Sequence, residues 1–269
     1  MTDNISWASY LARGVPPSKR VFVGGNWKCN GTVKDVDALI GKLNQMTIPV
    51  SSEVVVAVPS VYLATTKAQL KAEIVASSQD VGFFGNGAYT GETSAAMLAD
   101  LGVRWTLVGH SERRIGFGFP GESSGVCAAK TKRALDAGVS VIFCIGESLA
   151  ERESGKTLEV CAAQLKPLID LKLDSALWTK KIVIAYEPVW AIGTGKVATP
   201  QQAEQTHLEI RQHLNASIGA ASKDVRIIYG GSVKGSNCKE LIGGPNIDGF
   251  LVGGASLLPE FQDIIKCSE

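Results

Sequence analysis

Residues 54–60 read Val-Val-Val-Ala-Val-Pro-Ser and residues 183–185 read Val-Ile-Ala, so both stretches carry uninterrupted apolar runs. Strands buried on both faces show such runs, whereas a strand with one solvated face alternates apolar and polar residues. Runs rich in Val and Ile recur along the chain, at residues 21–27, 54–60, 73–79, 105–110, 139–147, 181–187, 225–231 and 249–255. The pattern predicts eight parallel strands that are covered by helices.

Segments with helical spacing separate these runs. Thr199 and Pro200 supply an N-cap and a first-turn proline for a helix over residues 203–214. Gly138 ends another helix over residues 130–137. Eight strands that alternate with helices predict a single α/β domain, a (β/α)8 barrel of about 250 residues, and a doubly wound open sheet is the alternative. We expect the barrel to occupy residues 21–269 and residues 1–20 to form a flexible extension.

Composition argues against several classes of partner. The chain has 27 Lys plus Arg against 26 Asp plus Glu, a net charge of +1, and non-specific nucleic-acid binding depends mainly on neutralising phosphates. The sequence contains no run of about 18 apolar residues, the length that a membrane-spanning helix requires. Six cysteines are scattered singly, which favours free thiols in a reducing compartment. We therefore expect a cytoplasmic protein without nucleic-acid or membrane partners.

Two apparent motifs have ordinary structural explanations. The run from Gly116 to Gly121 matches G-x-G-x-x-G, but a dinucleotide fingerprint must directly follow its strand, and the predicted strand ends at His110. His207 and His213 lie six residues apart on one predicted helix, so they do not share the face that a metal site needs. The sequence therefore predicts neither a cofactor nor a metal.

Polar or glycine-rich residues follow strand after strand. These are Asn26-Trp27-Lys28, His110-Ser111-Glu112, Gly146-Glu147, Glu187-Pro188, Gly230-Gly231-Ser232 and Gly253-Gly254-Ala255-Ser256. In a barrel of parallel strands, these C-terminal ends meet on one face, where the loops build active sites. Because a scaffold protein has no need of a lysine, a histidine and a glutamate there, the pattern favours an enzyme.

Five stretches together resemble the triosephosphate isomerase family. They are residues 26–31 (NWKCNG), 109–114 (GHSERR), 185–196 (AYEPVWAIGTGK), 229–233 (YGGSV) and 249–257 (GFLVGGASL), in the family's order and spacing. The resemblance implies a (β/α)8 enzyme of glycolysis and gluconeogenesis that interconverts dihydroxyacetone phosphate and D-glyceraldehyde 3-phosphate without a cofactor. It also implies a homodimer whose contact lies in residues 85–94, from Gly85 to Ser94, after the third strand.

Such an isomerisation moves a proton between adjacent carbons of an α-hydroxy carbonyl. It needs a base for the C–H proton and hydrogen-bond donors for the enediolate oxygens. Glu187 at the end of the sixth strand fits the base, and His110 at the end of the fourth fits the donor. The resemblance implies that His110 acts as a neutral imidazole. We expect Glu112 to order the loop that carries His110.

The remaining site residues are expected to bind the substrate. They are Asn26, Lys28, Gly193, Ser232, Gly253 and Gly254. Glycines let backbone N–H groups approach phosphate oxygens closely, and Lys28 supplies a cation. Lys28 leaves a second interpretation open, a Schiff-base aldolase on the same fold. The Gly-rich stretch at residues 191–195 is expected to cover the site as a lid.

Two segments depart from the family's pattern. The extension at residues 1–20 is longer than the family usually carries. After Arg114, residues 115–120 precede Gly-Glu-Ser-Ser at 121–124, where the family runs quickly into Gly-Glu-Ser-Asp. The added residues leave the conformation of this loop open.

Overall fold

Eight parallel strands close into a barrel in the computed structural model, which describes residues 20–192, 198–267 and 269. The strands are Val21–Asn26 (β1), Ser52–Val58 (β2), Ile74–Ser78 (β3), Trp105–Val108 (β4), Ser140–Ile145 (β5), Ile182–Tyr186 (β6), Arg226–Tyr229 (β7) and Gly249–Val252 (β8). Each strand pairs with the next, and β8 pairs with β1, with Phe22 opposite Gly249. The predicted (β/α)8 barrel is confirmed, and the closed ring excludes the open sheet.

Helices surround the barrel. The α-helices of the described residues are Val33–Gln45 (α1), Leu63–Gln69 (α2), Ala95–Asp100 (α3), Ser111–Ile115 (α4), Ser124–Asp136 (α5), Leu149–Glu153 (α6), Thr157–Ile169 (α7), Ser175–Lys181 (α8), Pro200–Ile218 (α9), Cys238–Ile242 (α10) and Phe261–Ile265 (α11). Short 3-10 helices lie at Ser60–Tyr62, Val189–Ala191, Gly219–Asp224 and Gly254–Leu257. Thr199 caps α9 as predicted, because its side chain accepts the N–H of Gln202. Gly138 follows α5 with a φ of 81°, although α5 begins at Ser124, earlier than predicted.

The continuous apolar runs are explained by burial on both faces of the sheet. All seven residues of β2 are buried. Val55 and Ala57 pack with Phe22 in a cluster inside the barrel, while Val54 and Val56 pack into the larger cluster between the strands and the helices. Alternate side chains of a strand point to opposite faces, so each strand serves both layers of the core.

A buried ion pair lies inside the barrel at the N-terminal ends of the strands. The Arg226 guanidinium donates to the Glu53 carboxylate at 2.6 Å, and both side chains are at most 4% exposed. The same guanidinium lies 4.9 Å from the ring centroid of Phe22. Loss of either partner would leave an uncompensated charge in the core, which is strongly destabilising.

The residues that follow α4 form a tight loop. Phe119 donates its N–H to the Gly116 carbonyl at 2.7 Å, and Gly116 has a φ of 89°. A Cβ on Gly121 would lie 1.7 Å from the Arg114 carbonyl oxygen, so the backbone crossing at the base of the loop requires glycine. Gly116 and Gly121, two of the three glycines of the apparent motif, therefore serve loop geometry.

Three predictions fall partly or wholly outside the described residues. They concern the extension at residues 1–20, of which 1–19 are not described, the lid at residues 191–195, and the phosphate contact of Gly193.

Candidate active site

The side chains predicted to act together follow the C-terminal ends of their strands. Asn26 is the last residue of β1, Glu187 directly follows β6, and Gly253 directly follows β8. His110 comes two residues after the end of β4. Because all strands of the barrel are parallel, these residues share one face of the molecule.

One cavity of about 350 Å³ joins the predicted site residues. Its lining includes Asn26, Lys28, His110, Glu187, Ser232, Gly253 and Gly254. Every predicted catalytic and substrate-binding residue that the structure describes thus lines the same cavity. Glu112, predicted to order the loop of His110, contacts two of these side chains.

A histidine and a carboxylate meet in this cavity. His110 Nε2 lies 3.0 Å from Glu187 Oε1, and their side chains are 7% and 2% exposed. The second carboxylate oxygen, Glu187 Oε2, accepts the backbone N–H of Ser111 at 2.9 Å. These two contacts hold the carboxylate with one oxygen against the imidazole and the other against the start of α4.

Helix α4 orients the imidazole. His110 is the N-cap of α4, and its Nδ1 accepts the backbone N–H of Glu112 at 3.3 Å. A ring nitrogen that accepts a hydrogen bond carries no proton, so in this arrangement the proton of the neutral imidazole is on Nε2. Nε2 is the nitrogen that faces Glu187 and the cavity.

The two groups shift each other's pKa. Burial raises the pKa of the Glu187 carboxyl, but His110, the Ser111 N–H and Lys28 together outweigh burial and bring the pKa below its ordinary value. Burial lowers the pKa of His110, and the Glu187 carboxylate, with Glu112, outweighs burial and raises it. Glu187 is therefore a carboxylate at neutral pH, the protonation state that a base requires.

Lys28 is held in a strained backbone conformation beside this pair. Its φ is 53°, a region that side-chain-bearing residues rarely adopt. Asn26 Oδ1 accepts the Lys28 N–H at 3.0 Å, and Gln79 donates to the Lys28 carbonyl at 2.8 Å. The ammonium lies 2.6 Å from Glu112 Oε1. Strain of this kind persists only where surrounding contacts impose it, often at functional sites.

Another part of the cavity wall, beside Lys28, is rich in backbone and small side chains. A Cβ on Gly254 would meet no atom within 4 Å, and one on Gly253 would lie 3.6 Å from Lys28 Cε. Ser232 donates its hydroxyl to the Ala191 carbonyl at 2.9 Å. An open wall of this composition suits a phosphate group, whose oxygens accept hydrogen bonds from backbone N–H groups and hydroxyls.

Glu147 does not line the cavity but makes contacts near it that the sequence does not indicate. It is fully buried, and its Oε1 accepts from Tyr186 and Trp190 at 3.0 Å each and from Arg152 at 3.1 Å. These contacts attach the segment that follows Glu187 to the end of β5. The only sequence feature that could have indicated Glu147 is its position just after a strand, in Gly146-Glu147. Most of its partners are distant in sequence.

Neither a metal site nor a membrane segment is found in the part of the chain that the structure describes. No three His, Cys, Asp or Glu side chains there are arranged to hold a metal ion. No helix there combines the length and the apolar character needed to cross a bilayer.

Comparison with known proteins gives one consistent result. The model of the family described as "Triosephosphate isomerase" matches residues 21–268. The chain is 51% identical over 251 residues to "Triosephosphate isomerase, cytosolic" of Oryza sativa subsp. japonica, which covers 92% of this chain and 96% of the rice protein. It is 48% identical over 249 residues to "Triosephosphate isomerase" of Paracoccidioides lutzii. That alignment covers 92% of this chain and 98% of the fungal protein's length.

Proposed function

The chain belongs to the triosephosphate isomerase family, and from this premise we propose that it interconverts dihydroxyacetone phosphate and D-glyceraldehyde 3-phosphate through an enediolate. Glu187 acts as the base and His110 as the electrophile. The observation that carries the proposal is the buried His110–Glu187 contact of 3.0 Å in a cavity that also contains Lys28 and the glycines Gly253 and Gly254.

In the proposed reaction, the Glu187 carboxylate removes a proton from the carbon next to the substrate carbonyl. The electron pair of that C–H bond forms a C=C bond to the carbonyl carbon, and the π pair of the carbonyl moves to its oxygen, which gives an enediolate. A proton then passes from the hydroxyl oxygen to the former carbonyl oxygen, and return of the first proton from Glu187 to the neighbouring carbon completes the aldose–ketose exchange. The hydrogen bond from the Ser111 N–H, which fixes Glu187 and helps to lower its pKa, supports this role, because a base must be ionised and correctly placed.

His110 donates from Nε2 to the two oxygens of the reacting carbons. Substrate that enters between His110 and Glu187 separates them and so removes the main influence that raises the pKa of His110. Burial then dominates, and the imidazole acts in its neutral form, as the family resemblance implies. The Lys28 ammonium, beside Gly253, stabilises negative charge on the enediolate and the phosphate.

A coupled assay tests the proposal directly. The purified chain should convert each triose phosphate into the other without an added cofactor. The competing Schiff-base aldolase is tested by borohydride reduction in the presence of substrate, since only a lysine imine would be trapped as a covalent adduct at Lys28. The Lys28 side chain lies 2.6 Å from the Glu112 carboxylate. This contact supports a lysine that binds substrate through its charge rather than one that attacks the substrate as an amine.

Gly230 is expected to be necessary for the placement of Glu187. A Cβ at residue 230 would lie 2.9 Å from Glu187 Cγ and 3.2 Å from the Tyr186 carbonyl oxygen. We expect Gly230→Ala to reduce kcat about 10- to 100-fold, since displacement of a catalytic group by about 1 Å has effects of this size. Steady-state kinetics with a thermal melt separates loss of placement from loss of folding.

Gly41→Ala is the matched control for Gly230→Ala, because Gly41 lies in α1 and a Cβ there meets no atom within 4 Å. It should retain normal turnover. Normal turnover of Gly230→Ala as well would contradict the proposed constraint on Glu187.

We also propose that the chain forms a homodimer through residues 85–94. The rings of Phe84 and Tyr89 stack with centroids 4.2 Å apart, and both side chains are more than 40% exposed. The Ser94 hydroxyl donates to Asn86 Oδ1 at 2.5 Å, a hydrogen bond that links the two ends of the segment. Exposed aromatic side chains on an ordered segment are typical of protein interfaces.

Replacing both stacked aromatics, Phe84→Ser with Tyr89→Ser, should raise the dimer dissociation constant by about 100-fold or more. Aromatic side chains contribute strongly to interfaces, and in a twofold-symmetric dimer each substitution occurs twice. Analytical ultracentrifugation across a concentration series measures the effect. Val50→Ser is the control, since Val50 is 53% exposed beside the N-terminal end of β2. Unchanged dimerisation of the double variant would place the interface elsewhere.

The proposed substrates place the enzyme in glycolysis and gluconeogenesis, and we propose a cytoplasmic location. The rice relative carries the word cytosolic in its name, and the six cysteines of this chain are free, which agrees with a reducing compartment.

A further inference from the structure

Lys234 contributes a second cation to the lining of the active-site cavity. It lies two residues after Ser232 and lines the cavity with Ser232, Gly253 and Gly254, the residues that the proposed function assigns to phosphate. The residue is exposed, so it belongs to the rim of the cavity rather than to its floor, where His110 and Glu187 lie.

The backbone around Lys234 is fixed. Its N–H donates to Asn237 Oδ1 at 2.8 Å, and Asn237 in turn donates to the Ser232 carbonyl at 3.1 Å. The next N–H, that of Gly235, donates to Glu260 Oε2 at 3.0 Å. These hydrogen bonds fix the position of the Lys234 backbone relative to Ser232.

The two lysines of the cavity differ in their partners. The Lys28 ammonium lies 2.6 Å from Glu112, and this carboxylate offsets part of its charge. Within the described residues, Lys234 has neither an ion pair nor a side-chain hydrogen bond. Glu260 also lines the cavity, but its contact is to the Gly235 N–H. At the rim, Lys234 thus offers an incoming anion a positive charge that is held in no direct ion pair with the described residues.

On the basis of the proposed function, we infer that Lys234 is a specificity-determining residue whose ammonium attracts and holds the phosphate dianion of the substrate at the open rim of the cavity. Lys234 does not reach the reacting carbons. Charges at the rim of a binding site act mainly on association and on its salt dependence, and exposed charges are screened over a Debye length of about 8 Å at physiological ionic strength. The effect therefore belongs to KM and kcat/KM and not to kcat.

Lys234→Gln tests this inference. At low ionic strength, we expect kcat/KM for D-glyceraldehyde 3-phosphate to fall about fivefold with kcat nearly unchanged, an effect of the size found for exposed charge pairs. The salt dependence of kcat/KM should become shallower, and competitive inhibition by inorganic phosphate should weaken by a similar factor. Turnover of unphosphorylated D-glyceraldehyde should not change, and Lys234→Arg should restore most of the loss.

Lys223→Gln is the matched control, because Lys223 is exposed and precedes β7, at the opposite end of the barrel. It makes the same change in net charge and should leave all these values unaltered. A combined Lys234→Gln and Glu260→Gln variant distinguishes a second role. If Lys234→Gln has no effect on kcat/KM in the Glu260→Gln background, Lys234 only offsets that carboxylate, and the inference is wrong.

Three further outcomes would overturn the inference. One is an unchanged kcat/KM in Lys234→Gln, and another is an equal loss with D-glyceraldehyde, which lacks the phosphate. In both cases the unaltered chain still turns over triose phosphate, so the proposed function stands. The third is an absence of turnover by the unaltered chain, which rejects the proposed function itself and the inference with it.

Discussion

Glu187→Asp is expected to reduce kcat about 100-fold and to leave KM little changed. The substitution keeps a carboxylate but withdraws it by one methylene, roughly 1 Å, and displacements of this size cost about 100-fold in rate. Both anchoring contacts are affected, since Oε1 lies 3.0 Å from His110 Nε2 and Oε2 accepts the Ser111 N–H at 2.9 Å. Steady-state kinetics in both reaction directions measures the change.

The control for this variant is Glu159→Asp, which makes the same shortening at an exposed position in the first turn of α7. It should have wild-type kinetics. If Glu187→Asp also turned over normally, Glu187 would not be the base. An increase of KM without loss of kcat would instead make Glu187 a binding residue.

His110→Ala is expected to reduce kcat by about 100- to 1,000-fold. Removal of one preorganised donor to a developing oxyanion has effects of this size. Substrate binding should be retained in large part, because the proposed phosphate contacts from Ser232, Gly253 and Gly254 remain. Single-turnover kinetics measures the loss in the chemical step, and the affinity for a phosphorylated inhibitor measures any loss in binding. A variant with normal kcat would assign the electrophile to another donor, with Lys28 the nearest candidate.

The same variant changes the pH dependence in a direction that the structure defines. Burial raises the pKa of Glu187, and His110 is the main group that lowers it. Without the imidazole, the pKa of Glu187 rises, so the carboxyl stays protonated to a higher pH. The acidic limb of the kcat/KM profile, which reports groups of the free enzyme, should therefore move to higher pH. A shift to lower pH would contradict the proposed coupling between the two groups.

The strands can be predicted from sequence because burial on both faces leaves a local signal. Residues 54–58 are apolar without interruption, since Val55 faces the barrel interior and Val54 the helices. Strand ends are less predictable. The run predicted to end at residue 110 ends at Val108, because His110 leaves the sheet to cap α4.

Residues that line the cavity can be predicted where they directly follow a strand among characteristic neighbours, as Glu187 and Gly253 do. Glu147 also follows a strand, but its role depends on contacts with Tyr186 and Trp190, which lie on a different strand and loop. The constraint at Gly230 likewise comes from the approach of the Glu187 side chain. Such roles arise from packing between distant segments, so no local pattern identifies them.

Closure of the ring between β1 and β8 has a consequence for the order of events during synthesis. β1 leaves the ribosome first but can pair with β8 only after β8 has been synthesised, because Phe22 pairs with Gly249 near the other end of the sequence. Until then β1 presents an unpaired edge, a template for aggregation. The pair between Arg226 and Glu53, 173 positions apart, is likewise late to form. Contacts of such high sequence separation slow folding, so a chain that ends before β8 should accumulate as an open, association-prone sheet.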